Sequence, residues 1–381
     1  MSLASIIGHD QTLRILRRSF AEGRIPNAYL FVGPPNLGKF TVAMEFARLI
    51  DCDDPHDLAT PDLTDACGVC ESCRRIDFGS HPDVLAIRPL TRIGTGAKVE
   101  VTEFEGATLT TDQVGEILGR AGMRRTRGPY KILIIARAET MNPEAANRLL
   151  KTLEEPPEGT VLVLTCSNPS ALLPTIASRC QRVAFHPVPL ATLEPALLDR
   201  FPDLAPDLVA TVARLSSGRP GWALTLLQSP PALSVRRRLF DMLVAFPTNP
   251  LVSSLAGSEE LLRLAEAWWI AINGEGAQDV LRRAGDRSRR VALADLFDLL
   301  SSALRDVLLL TVGEEDLIIN RDVLLMLRNL ARSTTPAKAR LALSALQQVQ
   351  RHIRGNANLR LASELALLQV MLVLRAAPVE A

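Results

Sequence analysis

No apolar run in this chain approaches the roughly 18 residues needed to cross a bilayer, and its opening residues, MSLASIIGHDQTLRILRRSF, lack the basic-then-apolar layout of a secretory signal. A cytoplasmic location without membrane contact is the expectation. Charge of one sign is also missing, because 43 Lys and Arg stand against 42 Asp and Glu in 381 residues. That balance argues against a surface that gathers nucleic acid everywhere and leaves room only for local basic faces. There is no tandem repeat and no low-complexity tail. Cysteines are few, six in all, yet Cys52, Cys67, Cys70 and Cys73 share one short segment. In a large cytosolic chain such clustering points to metal rather than to disulfides.

The length exceeds what one core usually supports, so two or three domains are expected. Short β-type runs at 28–32 (AYLFV), 83–87 (DVLAI), 131–136 (KILIIA) and 161–165 (VLVLT) alternate with the helical segments TVAMEFARLI, TTDQVGEILGRAGM and PEAANRLLKTLEEP. Strands separated by helices predict a parallel sheet covered on both faces. From about residue 186 little reads as strand. HPVPL is a linker, a short helical block follows to residue 228 with LSSGRPGWAL breaking its pattern, and long amphipathic helices fill 229–381. The predicted organisation is an α/β domain over 1–185, a small helical domain over 186–228 and an all-α bundle over 229–381. Trp268, Trp269 and the leucine stripes of the bundle read first as core.

Residues 33–40 read GPPNLGKF directly after an apolar strand and before a helix. Gly33 and Gly38 permit turns that aim N–H groups at phosphate oxygens, and Lys39 is placed to reach the terminal phosphates. The residue after the lysine should offer Mg²⁺ a hydroxyl, and here it is Phe40. Thr41 has one, but a step along a helix swings it away by about 100°, so it serves only if the loop slips. The next core strand should end in carboxylates that hold the metal and activate water; KILIIA ends in Ala136 and Arg137. Glu139 could act only in a different register. The expectation is a phosphate loop without hydrolysis, with binding of ATP or ADP left open.

NRLLKTLEEPPEGTVLVLT followed by LLPTIASRCQ resembles the clamp-loader branch of the AAA+ ATPases. The likeness runs through IIGHDQTLRILRRSF, RIPNAYLFVGPPNLGK, HPDVLAI and GNANLRLASELALL, nearly the whole chain. It implies an AAA+ P-loop domain with a parallel sheet and a zinc module at about 52–73, a small helical lid, and a C-terminal all-α collar that packs against other collars. It also implies that Arg179, in Ser178-Arg179-Cys180, is a finger reaching the ATP site of a neighbouring subunit; a cap on the preceding helix is the plainer alternative. Where the family's ATPase subunits, gamma and tau, carry Gly-Ser-x-Arg-x-Ala-Leu, this chain has Gly218 to Leu224 with Gly221 at the arginine position and Arg219 out of register. The turn from Thr165 to Asn168 takes the first-sensor place.

The resemblance therefore implies a non-hydrolysing subunit of a bacterial DNA polymerase III clamp loader. In a hetero-oligomer with gamma/tau and delta subunits it would serve the ATP-dependent loading of a sliding clamp onto primed DNA. An ATP-hydrolysing gamma/tau-like subunit is the alternative, and a zinc-containing nucleic-acid binder is disfavoured by the neutral charge. Cys67, Cys70 and Cys73 are spaced C-x2-C-x2-C, and with Cys52 they suit a closed tetrahedral Zn²⁺ site; ordinary reduced thiols are the alternative, with His56 and His81 as substitute ligands. Arg120, Arg124, Arg125, Arg127 and Lys131 form the densest basic group, open to a reading as DNA-phosphate contacts, a solvated helix end or a subunit surface.

Overall fold

The structure is a computed structural model that describes residues 2–57, 64–93, 100–103, 108–245, 250–274, 277–284, 286–354 and 357–375. Residues 58–63 of the expected zinc module and 355–356 of the expected end segment lie outside the described residues. The chain forms two compact units, one of residues 1–92, 101–196 and 217–222, the other of 93–100, 197–216 and 223–381.

The first unit is built on one parallel sheet of five strands: β1 (Ala28–Val32), β2 (Val84–Ile87), β3 (Lys131–Ile135), β4 (Thr160–Cys166) and β5 (Gln181–Ala184). Their order is β2-β3-β4-β1-β5, with Ala28 beside Leu162 and Lys131 beside Thr160. The three central strands, β1, β3 and β4, are buried on both faces, which is why they read as continuous apolar runs. Alternate residues supply two separate cores. Tyr29, Phe31, Ile132, Ile134, Val161 and Val163 pack with α1 (Asp10–Ala21) and α2 (Lys39–Ile50). Leu30, Leu133, Ile135, Leu162 and Leu164 pack with helices of the other layer.

After α3 (Glu71–Asp77), that other layer comprises α4 (Thr111–Ala121) and α5 (Pro143–Glu154). The start of α5 is fixed by Asn142, whose Oδ1 accepts the Ala145 N–H at 2.9 Å, and by Pro143 in the first turn. It ends before Pro156, and the short α6 (Pro174–Ala177) leads into β5. The sequence reading missed β5: in Gln181–Ala184 only Val183 is buried, as fits an edge strand paired on one side. The four strands it expected stand within a residue of their anticipated limits. This is the helix-covered parallel sheet that the alternation of strands and helices predicted.

Downstream the chain is helical: α7 (Leu190–Arg200), α8 (Pro206–Leu215), α9 (Pro220–Leu227), α10 (Pro230–Ala245), α11 (Pro250–Asn273), α12 (Ala277–Ala284), α13 (Asp286–Thr311), α14 (Leu324–Arg332), α15 (Pro336–Arg354) and α16 (Leu359–Arg375). Trp268, Trp269, Phe240 and Phe297 are buried, so the tryptophans are core as expected. A buried polar knot ties this unit together. Asp306 accepts the backbone N–H groups of Ile319 and Asn320 at 3.1 and 2.8 Å, and Arg236 donates to Asn320 Oδ1 at 2.8 Å while pairing with Asp322. No helix among the described residues is long and apolar enough to cross a membrane.

Candidate functional site

The phosphate-type loop leaves β1 at Gly33 and closes at Gly38, which caps α2 with φ 87°. That left-handed backbone is the conformation glycine adopts without steric penalty. Lys39 is buried and turns its ammonium back over the loop, donating to the carbonyls of Gly33 and Pro34 at 2.6 Å each and to Ser167 Oγ at 3.2 Å. Burial pushes its pKa down to about 8, against the opposing pull of Glu139 and Cys166. The loop's outer side is held as well, because Gly221 N–H donates to the Asn36 carbonyl at 2.9 Å. A Cβ at position 221 would itself stand 2.9 Å from that oxygen. The position where gamma and tau carry an arginine is thus in backbone contact with the loop.

The metal side of the loop carries cations where the chemistry would need oxygen ligands. Phe40 packs partly into the core, and the Arg88 guanidinium stacks over its ring at 3.8 Å from the centroid. Ala136 is buried, and Arg137 adopts a left-handed φ of 53° with its N–H on Thr165 Oγ1 at 3.1 Å. That turn redirects the chain so that Glu139, just beyond the strand as expected, comes back to accept the Ser167 N–H at 3.0 Å. Its second carboxylate oxygen is buried without a hydrogen bond. One carboxylate therefore stands near Lys39, in a place the sequence reading had set aside; Arg88 had no sequence signal at all. The turn from Thr165 to Asn168 contributes Thr165 and Ser167 to these contacts.

Arg179 emerges after α6 with its side chain 37% exposed. Its Nη1 donates to the Thr175 carbonyl at 3.0 Å, and its Nη2 pairs with Glu154 Oε1 at 2.8 Å. The helix-capping contact and solvent exposure hold together. Burial pushes the thiols of Cys166 and Cys180 up to about 12 and about 11, and neither sulfur is among the four that cluster.

Cys52, Cys67, Cys70 and Cys73 converge, all four sulfurs lying within 4.8 Å of one another. Cys52 Sγ is 3.5, 3.9 and 3.7 Å from those of Cys67, Cys70 and Cys73. Zn–S bonds of about 2.3 Å set tetrahedral edges near ~3.8 Å, so the donor set and spacing fit that ion. Backbone N–H groups of Cys70 and Cys73 point at the sulfurs of Cys67 and Cys70 at 3.3 and 3.4 Å. His81 is not among the clustered ligands: its Nε2 meets Ser72 Oγ at 3.2 Å and its Nδ1 accepts the Asp83 N–H at 3.2 Å. His56 lies on a short strand paired with Thr64–Asp65.

Most of the basic group has partners within the chain. Lys131 is buried and donates to the carbonyls of Arg120 and Met123 at 3.0 and 2.8 Å, closing the end of α4. Arg127 pairs with Asp53 and Glu71 at 3.1 and 2.8 Å, Arg120 with Glu116 at 3.2 Å, and Arg125 bonds the Pro129 carbonyl. Arg124 is exposed. The loop they share is organised by Asp83, whose carboxylate accepts the N–H groups of Thr126, Arg127 and Gly128 at 3.0, 2.7 and 3.2 Å.

With this geometry in place, comparison with known proteins is specific. A family model described as DNA polymerase III, delta subunit, matches residues 8–189. The DNA polymerase III subunit delta' of Pseudomonas aeruginosa is 35% identical over 195 residues, 51% of this chain and 53% of that protein. The delta' subunit of Bacillus subtilis is 23% identical over 350 residues, 92% of each. Subunit tau of Escherichia coli is 33% identical over 185 residues, 49% of this chain and 25% of that protein. The matched region is about half of the Pseudomonas relative and nearly all of the Bacillus one, whereas the tau likeness covers 49% of this chain and a quarter of that protein. Over residues 8–189 the chain is therefore similar to the DNA polymerase III delta-subunit family, and the relatives it matches over the greater lengths are delta' subunits.

Proposed function

We propose that this chain is a non-hydrolysing clamp-loader subunit that assembles with gamma/tau and delta and lends Arg179 in trans to a neighbour's ATP site. The assembly would load a sliding clamp onto primed DNA in the cytoplasm. Residues 1–185 act as the AAA+ domain, 186–228 as the lid and 229–381 as the oligomerising collar. The carrying observation is a contrast within one compact unit: Phe40 under Arg88, with Ala136 and Arg137 in place of carboxylates, and a partly exposed guanidinium at Arg179. A guanidinium brought against a γ-phosphate neutralises charge that builds on its equatorial oxygens during transfer. Gly33, Gly38 and Lys39 keep the architecture to hold a nucleotide without turning it over. Cys52, Cys67, Cys70 and Cys73 would hold one Zn²⁺, whose chemistry there is structural because four thiolates leave no open position.

Glu139 near Lys39 favours the second reading, a gamma/tau-like ATPase, since it returns one carboxylate to the loop. Hydrolysis by the purified chain, with and without primed DNA, separates the two. The proposal expects turnover at the level of buffer controls; sustained turnover abolished by Glu139→Gln would establish the ATPase instead.

A further inference from the structure

The motif LLKTLEEPP identifies the family, yet the proposed function gives it no task beyond packing. Its α5 helix presses Leu149 and Leu153 into the sheet and ends beside the prolines, which leaves Glu154 fixed at the last helical turn. Across from it, Ile176 anchors α6 with no exposed surface. Each charged side chain therefore springs from an element pinned by buried residues. Between them the Arg179 guanidinium is held at two points, Nη2 on Glu154 Oε1 at 2.8 Å and Nη1 on the Thr175 carbonyl at 3.0 Å.

We propose that Glu154 is a positioning residue for the arginine finger, and that the LLKTLEEPP helix serves to present Arg179 to the neighbouring subunit's nucleotide. This inference rests on the reading of Arg179 as a finger in trans. A guanidinium offers five N–H donors in a fixed plane. Two are engaged here, so three remain to meet phosphate oxygens while the anchors stay in place. Without the carboxylate the long side chain regains its rotamers, and the fraction of time it spends aimed outward falls. The pair is solvent-exposed, at 37% and 50%, and exposed pairs shift such equilibria only about two- to fivefold.

The test uses the reconstituted complex with gamma/tau, delta and clamp, and follows single-turnover as well as steady-state ATP hydrolysis so that slow variants stay measurable. Glu154→Ala should lower kcat by about two- to fivefold with KM for ATP unchanged, because ATP itself is bound by the partner's own loop. In an Arg179→Ala background the same substitution should have no further effect, which is the outcome of two residues acting as one unit. Wild-type kcat in Glu154→Ala overturns the inference, and so does an equal loss in both backgrounds, which marks a merely structural role. If Arg179→Ala alone leaves kcat at the wild-type level, the finger reading itself fails and the inference falls with it.

Discussion

Asp83 has no exposed surface, and burial alone would favour its neutral form, but the N–H groups of Arg127, Thr126 and Gly128 with Lys131 outweigh that and hold its pKa below the usual aspartate range. Since the folded form binds the proton less tightly than the unfolded chain, the stability Asp83 contributes is complete above the unfolded pKa of about 3.9 and is lost as pH falls through the folded value. Asp83→Asn should cost about 2–4 kcal/mol at pH 7, and its gap to wild type in urea denaturation should narrow below about pH 4. A gap that does not change with pH would contradict this account. Single residues were legible in the sequence where a motif states what ought to stand there: Phe40, Ala136 and Arg137 declared themselves as departures. Arg88, Glu139 and Glu154 did not. Arg88 reaches Phe40 of α2 from just beyond β2, Glu139 returns to the loop only because Arg137 takes a left-handed turn, and Glu154 meets Arg179 across 25 residues of chain.

The cysteine segment shows how an element can be specified by chemistry rather than by hydrophobic pattern. C-x2-C-x2-C with a distant fourth thiol announced the cluster, and Cys70 also caps α3 by accepting the Cys73 N–H at its sulfur. Metal analysis of the purified full chain should find about one zinc per chain. Cys67→Ser should lose it and lower the melting temperature by about 5 °C or more. A wild-type chain that is metal-free after purification without chelators would reject the module. The central strands were equally legible, because burial on both faces requires continuous apolar residues. Edge strand β5 was not, since only Val183 must be buried there, and formal charge carries no record of a basic loop's internal partners: Lys131 closes a helix and Arg127 answers two carboxylates. The contact of Gly221 with Asn36 was beyond sequence reading too. The missing arginine was visible there, but not the backbone hydrogen bond that stands in its place.

In the whole molecule, two roles that one fold usually combines would be separated. Lys39 is folded onto its own loop and the metal side is occupied by Phe40 and Arg88, while Arg179 faces outward on the same domain. The chain would then matter to ATP hydrolysis only through a neighbour. The most direct measurement is ATP turnover by the reconstituted complex of this chain with gamma/tau, delta, clamp and primed DNA, comparing wild type with Arg179→Ala. The finger reading predicts a loss of kcat of at least about tenfold, since such arginines contribute orders of magnitude to phosphoryl transfer, with assembly of the complex unchanged. Wild-type turnover and clamp loading by an intact Arg179→Ala complex would contradict it.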